Sequence, residues 1–112
     1  MRIAAAASAF PEHYYPQAVL TAALEQFWGD RLRSPALLRR LHERAQVDGR
    51  YTALPLHAYP GLKTWGEANH AWRETAERIG AEALCRAASK AGISGQDIDA
   101  LFFVSVTGVS SP

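Results

Sequence analysis

The chain has 112 residues, which fits one small domain or part of a larger one. Its composition, 48% hydrophobic and 21% charged, predicts a globular chain with a core. The net charge of +1 argues against nucleic acid or a membrane surface as a partner. The single cysteine, Cys85, excludes a disulfide framework or a cysteine-based zinc site and fits a reducing compartment.

The first ten residues predict a buried strand. Residues 2–10 are rich in alanine, which suits a sheet packed very closely by a helix. They fit a secretory signal only weakly, because the apolar run is short and Ser8 interrupts it. No stretch is apolar for long enough to span a bilayer, so we expect a cytoplasmic protein. Prolines at both ends of residues 11–16 predict a break in regular structure there.

Two helices are predicted next. Apolar residues at three- and four-residue steps predict an amphipathic helix over 17–28, ended by Gly29. A hydroxyl N-cap followed by proline, Ser34-Pro35, predicts the start of a second helix that runs to about Gln46. The predicted buried stripe of the second helix is Leu37, Leu38, Leu41 and Ala45.

A long third helix is predicted after a turn at 48–49, an extended stretch at 50–53 and a loop at 54–63. Thr64 and Glu67 form a capping-box pattern at its start, and Gly92 ends it after Ala91. Its apolar stripe is Trp72, Ala76, Ile79, Ala83, Leu84, Ala87 and Ala91. Residues 94–97 predict one further capped turn.

The last stretch opens as a predicted strand. The apolar and β-branched run from Leu101 to Val104 is typical of a strand covered on both faces. The chain then becomes rich in hydroxyls and turns at Gly108, where an open α/β sheet would bind a ligand. The order of elements predicts an α/β fold without an internal boundary, in which the long helix crosses over between strands of one sheet.

A cluster of arginines is the candidate anion site. Six of the twelve basic residues lie between positions 31 and 50: Arg31, Arg33, Arg39, Arg40, Arg44 and Arg50. Arg40 and Arg44 are one helical turn apart and repel each other by a few tenths of a kcal/mol. A phosphate bound between the two guanidinium groups would turn this net repulsion into net attraction. The alternative, which composition alone favours, is a solvated face on which Glu43 pairs with Arg39.

No catalytic group is evident from the residues alone. The four histidines, His13, His42, His57 and His70, have no metal-binding spacing and no neighbouring Ser or Cys. Cys85 lies in mid-helix without a base, which indicates a packing residue and not a nucleophile. The hydroxyls near the end of the chain lack the second glycine of a G-x-S-x-G elbow and are expected to line a pocket or a turn.

Segments along the whole chain resemble, in order, segments of the type III polyketide synthases, the chalcone-synthase-like family of thiolase-like condensing enzymes. Residues 104–112 are similar to the family's T-S/T-G-V-x-x-P segment. The other matching stretches are Ala9-Phe10-Pro11 to Gln17, Val47-Asp48-Gly49-Arg50-Tyr51, Leu54-Pro55-Leu56, Tyr59-Pro60 and Glu67-Ala68-Asn69. The last three resemble the L-P-L…Y-P…E-A-N run of the bacterial members. The shared order and spacing make the resemblance specific.

The resemblance implies the N-terminal part of a thiolase-like fold, a homodimer and a decarboxylative Claisen condensation. A starter acyl-CoA would be loaded on a cysteine and extended with malonyl-CoA, without a cofactor other than these CoA thioester substrates. The family's Cys-His-Asn triad lies beyond this chain, and Cys85 is not its cysteine. The resemblance therefore implies an inactive piece whose partners include the remainder of the enzyme.

The resemblance also implies roles for named residues. Arg40 and Arg44 fall on positions that bind the CoA phosphates, and the third such position falls on Leu37, for which Arg39 would substitute. This shifts the balance towards the anion site. Val106 and Thr107 fall where the family lines its acyl pocket. Ser111 falls on the residue that reaches across the dimer into the partner's pocket.

Two other interpretations remain open at this point. A β-ketoacyl carrier-protein synthase III-like enzyme shares the fold and a similar T-G-V-x-x-P stretch, but it fits the R-Y and L-P-L…Y-P segments less well. The other is a non-catalytic remnant or interaction fragment that folds only with a partner. An open apolar strand edge predicts that the isolated 112-residue chain aggregates or requires the missing segment.

Overall fold

The computed structural model describes residues 2–31 and 33–110 as a mixture of helices and short strands. They fall into two compact units. The ribbon unit comprises residues 11–63, and the long-helix unit comprises residues 2–10 and 64–110. The absence of an internal domain boundary stays a prediction.

The ribbon unit contains two strands, two helices and two 3-10 turns. In chain order the strands and helices are β1 (His13–Pro16), α1 (Gln17–Trp28), α2 (Pro35–Arg44) and β2 (Gly49–Thr52). The 3-10 turns are Gly29–Arg31 and Leu56–Gly61. Leu20 of α1, 8% exposed, is the one buried hydrophobic residue of the described ranges.

β1 and β2 pair as an antiparallel ribbon, in which Tyr14 lies opposite Tyr51 and their ring centroids are 5.0 Å apart. The predicted break over residues 11–16 is therefore wrong. Proline is excluded from a central strand, but Pro16 lies at the end of a strand that is paired on one edge. Opposite it, a Cβ on Gly49 would lie 2.5 Å from the Tyr14 hydroxyl, so the close approach of the strands requires glycine.

α1 has the predicted bounds, but Gly29 does not end it in a left-handed conformation. The φ of Gly29 is −49°, and the chain continues into a 3-10 turn because its backbone stays helical. α2 begins as predicted, with the Ser34 hydroxyl accepting from the Leu37 N–H at 3.2 Å. It ends at Arg44, short of the predicted Gln46, whose φ of 49° cannot continue a helix.

The predicted buried stripe of α2 is wrong. Leu37 and Leu41 are 52% and 57% exposed, and Ala45 is exposed as well; Leu38 is half-buried. The amphipathic pattern is present in the sequence, but within the described residues nothing covers the face that carries Leu37 and Leu41. This leaves an apolar strip beside the arginines of α2.

The long-helix unit is built on α3 (Trp65–Ala91), as predicted. The Thr64 hydroxyl accepts from the Glu67 N–H at 3.2 Å, and the Glu67 carboxylate accepts from the Thr64 N–H at 2.9 Å. Gly92 ends α3 with a φ of 70°, and the Ile93 N–H donates back to Ala88 at 3.1 Å. The capped turn that follows is Gly95–Asp97. None of the helices in the described ranges is both long and apolar enough to cross a bilayer.

The two predicted strands of a common sheet are not strands in the residues that the structure describes. Residues 2–10 and 98–110 have no ladder partner there, and the β1–β2 ribbon is the sheet that the described residues form. Phe102 and Val104 are 90% and 88% exposed. A buried strand needs neighbours on its edges and faces, so the apolar pattern alone does not make one. The predicted crossover role of α3 is accordingly not observed.

Residues 2–10 nevertheless lie along the C-terminal half of α3. The Arg86 guanidinium donates to the Ser8 carbonyl at 3.0 Å, and the Lys90 ammonium donates to the Ala6 carbonyl at 3.3 Å. Half-buried and exposed residues alternate from position 5 to position 10, the period of an extended chain. Side chains of α3 therefore hold residues 6–8 beside the helix through their backbone carbonyls, and the predicted sheet between alanines and helix is not observed.

Candidate functional site

The first candidate surface is the arginine face of α2. Arg40 and Arg44 lie four residues apart, so their side chains leave the same side of the helix. Both residues are exposed. Within the described part of the chain, neither guanidinium forms an ion pair. Arg44 lies in the last turn, where a cation also stabilises the helix dipole.

Arg39 points to a different partner. Its Nε and Nη2 donate to the Glu25 carboxylate of α1 at 2.6 Å and 2.9 Å, a two-bonded pair that joins α1 to α2. The hydrogen bond from Arg39 lowers the pKa of Glu25 below its ordinary value of 4.5. The lattice expected from sequence, Glu43 with Arg39, is thus replaced by Glu25, and Glu43 acts on Arg39 only through its nearby charge.

The side of α2 that faces α1 is fixed by a second polar contact. The Thr21 hydroxyl donates to the Gln17 carbonyl at 2.8 Å and lies 2.7 Å from Nδ1 of His42. His42 thereby holds α2 against α1, and the opposite side of α2 carries the unpaired arginines.

The second candidate surface is the turn at residues 105–109 in the long-helix unit. The Ser105 hydroxyl accepts from the backbone N–H groups of Thr107 and Gly108 at 3.2 Å and 3.3 Å, a local turn typical of serine. Ser105 and Thr107 are thus turn residues, as expected, and Val106 is 98% exposed.

The turn is attached to the N-terminal half of α3. The Asn69 side chain donates to the Val109 carbonyl at 2.8 Å and accepts from the Val109 N–H at 2.9 Å. Gly108 lies on the indole of Trp72, where an added Cβ would come within 2.1 Å of the ring. Phe103 meets the same indole edge-on, with ring centroids 6.2 Å apart.

A groove of about 420 Å³ runs between α3 and the segment that carries this turn. Its walls are mainly apolar and include Trp72, Leu84, Leu101 and Phe103, with Ser110 at one end. The predicted pocket residues Val106 and Thr107 lie in the turn itself. Ser111, the predicted dimer contact, lies outside the described residues.

Cys85 is exposed in the middle of α3, so the expected packing role is wrong: its side chain lies off the half-buried stripe. In the two described ranges, no three His, Cys, Asp or Glu side chains cluster as metal ligands would.

Sequence reasoning missed Asn69 and Glu25 as contact residues. The sequence did indicate a special role for Asn69, because asparagine is a poor helix former and this one lies in the second turn of a long helix. Glu25 carries none, since its partner Arg39 is 14 positions away on another helix.

No family model matches the chain. Over 110 residues, 98% of its length, the chain is 41% identical to an enzyme of the type III polyketide synthase class, so it is related to that family and corresponds to part of such an enzyme. The relative is the 1,3,6,8-tetrahydroxynaphthalene synthase of Streptomyces peucetius subsp. caesius, and the chain spans 29% of its length. The family resemblance seen in the sequence motifs is thereby confirmed.

Proposed function

We propose that the chain forms the N-terminal part of a thiolase-like enzyme that condenses an acyl-CoA starter with malonyl-CoA by decarboxylative Claisen chemistry. The cysteine that carries the acyl group would lie outside this chain. The observation that carries the proposal is the 41% identity to a tetrahydroxynaphthalene synthase along almost the whole chain. A naphthalene-type polyketide is the product class that this relative suggests.

In this proposal Arg40 and Arg44 bind the CoA phosphates. Two guanidinium groups on one side of α2, exposed and without a carboxylate partner in the described ranges, leave their donors open to an anion. Arg39 was predicted to assist, but its donors are shared with Glu25, so it contributes mainly through its charge. Leu37, at the position of the third family cation, offers an apolar contact to the pantetheine arm.

Val106 and Thr107 are proposed to line the acyl pocket, as the family resemblance implies. Their support in this chain is their place in an ordered turn whose side chains stay exposed. The homodimer and the contact of Ser111 across it are part of the same proposal. No cofactor besides the CoA thioesters is proposed.

A hybrid enzyme tests the proposal. The 110 matched residues of the Streptomyces peucetius synthase are replaced by this chain, and purified hybrid is supplied with malonyl-CoA. We expect CoA release and a naphthalene-type product, because this chain places its helix caps, its arginines and its turn at the positions that align with those of the relative. A matched hybrid in which the relative's catalytic cysteine is replaced by alanine is the control and should give no product.

A folded, dimeric hybrid that releases no CoA and forms no polyketide would overturn the proposal. A product formed only with an acyl carrier protein, and not with malonyl-CoA, would favour the synthase III-like alternative instead.

A further inference from the structure

We propose that Asn69 is a positioning residue: its side-chain amide pairs with the backbone of Val109 and fixes the wall formed by Val106 and Thr107. The inference rests on the proposed function, which assigns that wall to the acyl pocket. Asn69 itself does not contact the reacting atoms in this account, and it acts through the turn.

The Asn69 side chain forms the same two hydrogen bonds with the Val109 backbone that a neighbouring β-strand would form. Asn69 Nδ2 donates to the Val109 carbonyl at 2.8 Å, and Oδ1 accepts from the Val109 N–H at 2.9 Å. A primary amide carries a donor and an acceptor side by side, and it can satisfy both backbone groups of one residue as a neighbouring strand would. Asp lacks the donor, and Ala lacks both groups.

The same turn is fixed at two more points. The Ser105 hydroxyl accepts from the N–H groups of Thr107 and Gly108, which sets the internal geometry of the turn. Gly108 lies against Trp72, with room for no side chain. Asn69 and Trp72 are three residues apart, so one face of α3 holds the turn by a polar and an apolar contact.

Val106 and Thr107 lie between these fixed points, and both are exposed. Their backbone is therefore held while both side chains stay exposed to a ligand, although the Thr107 hydroxyl also lies 3.4 Å from that of Ser105. Displacement of a pocket wall by about 1 Å is enough to reduce the productive binding of a substrate. Loss of the hydrogen bonds to Val109 should therefore change the preference for the acyl chain more than it changes the rate of the condensation step.

A purely structural role of Asn69 in α3 predicts a different outcome. Asparagine is a worse helix former than alanine, so Asn69→Ala should not weaken α3 itself. Asn69→Asp preserves the shape of the side chain but places a carboxylate oxygen against the Val109 carbonyl. If the pair of hydrogen bonds matters, both variants should release the turn; if shape alone matters, only the alanine variant should.

The first test measures amide hydrogen exchange in the full 112-residue chain. Protection of the Val109 N–H should fall about tenfold in Asn69→Ala, the effect of losing two modest hydrogen bonds, and by less in Asn69→Asp, which loses the donor to the Val109 carbonyl but keeps an acceptor for the N–H. The control is His70→Ala, which changes the neighbouring exposed residue, whose contacts are to Arg73 and Glu74 on the same helix. Protection equal to that of the unchanged chain in Asn69→Ala would overturn the inference.

The second test uses the hybrid enzyme with malonyl-CoA alone and with hexanoyl-CoA added. Asn69→Ala and Asn69→Asp should raise the KM for the acyl-CoA about tenfold and shift the product ratio, at a kcat within about twofold, while His70→Ala leaves both unchanged. If the hybrid that carries the unchanged chain is inactive, the proposed function is contradicted. If the hybrid is active and neither Asn69 variant changes its KM or its product ratio, this inference alone is overturned.

Discussion

Arg40 and Arg44 are two like charges on one side of α2, and among the residues that the structure describes no carboxylate pairs with either of them. Two such groups, one turn apart, repel each other mildly and gain from an anion between them. At the scale of single residues this is the feature that the proposed CoA site depends on.

Replacing both arginines, Arg40→Ala with Arg44→Ala, should raise the KM of the hybrid enzyme for malonyl-CoA about a hundredfold or more, with kcat little changed. The reason is the loss of two charge-assisted contacts, each worth roughly 1.5–3 kcal/mol where formed to a phosphate. Steady-state kinetics measure it. Arg31→Ala with Arg33→Ala removes the same charge outside α2 and is the matched control; an unchanged KM in the first variant contradicts the site.

The Glu25–Arg39 pair predicts a pH dependence. The hydrogen bond from Arg39 holds the pKa of Glu25 below 4.5, so the folded chain binds this proton less readily than the unfolded chain. The pair therefore stabilises the fold above the unfolded pKa, and this contribution is lost as the pH falls through the lowered folded value.

Glu25→Gln should lower the melting temperature at pH 7, and the difference from the unchanged chain should shrink as the pH falls below 4.5. Thermal melts from pH 7 to pH 3 measure it. Glu43→Gln is the control, because Glu43 affects Arg39 only through its charge. Equal pH profiles for the two variants would show that the two-bonded geometry contributes nothing; the pair is exposed, so the effect is expected to be small.

At the scale of elements, helix ends followed the sequence closely and strands did not. The caps of α2 and α3 rest on residues three positions apart, Ser34 with Leu37 and Thr64 with Glu67. Such contacts form within one turn, so the local sequence specifies them. The β1–β2 ribbon joins residues about 35 positions apart, and the prolines around β1 concealed it.

The α3 cap gives a direct prediction. Thr64→Ala should lower the free energy of unfolding by about 1 kcal/mol, since it removes the hydroxyl that accepts from Glu67 N–H. Thr64→Ser retains that acceptor and should restore most of the stability. Urea denaturation followed by circular dichroism measures both; equal losses for alanine and serine would mean that the methyl group, and not the cap, is what α3 needs.

At the scale of the whole molecule the chain has much uncovered apolar surface. Phe102, Val104 and Val106 occupy alternate positions of one segment and are all at least 88% exposed. A patch of this kind marks a surface that another segment or chain covers.

The isolated chain should therefore associate at micromolar concentration, and co-expression with the other 71% of the Streptomyces peucetius synthase should increase its soluble fraction. Phe102→Gln with Val104→Gln should reduce association by removing the most exposed apolar groups. Leu37→Gln with Leu41→Gln, a smaller patch on α2, is the comparison. Light scattering measures association, and a monodisperse monomer at micromolar concentration would contradict the prediction.

The sequence by itself determined the three helices, the caps at the starts of α2 and α3, the turn near Gly108 and the family resemblance, because these depend on neighbours within one turn or on motifs in a fixed order. It also determined that residues 101–104 suit a covered environment. The tertiary structure decided what lies outside that range: Tyr14 opposite Tyr51, Glu25 on Arg39, and Asn69 on Val109, 40 positions away. The physical reason is that these contacts depend on which distant segments meet in space, and local propensity and periodicity carry no record of that.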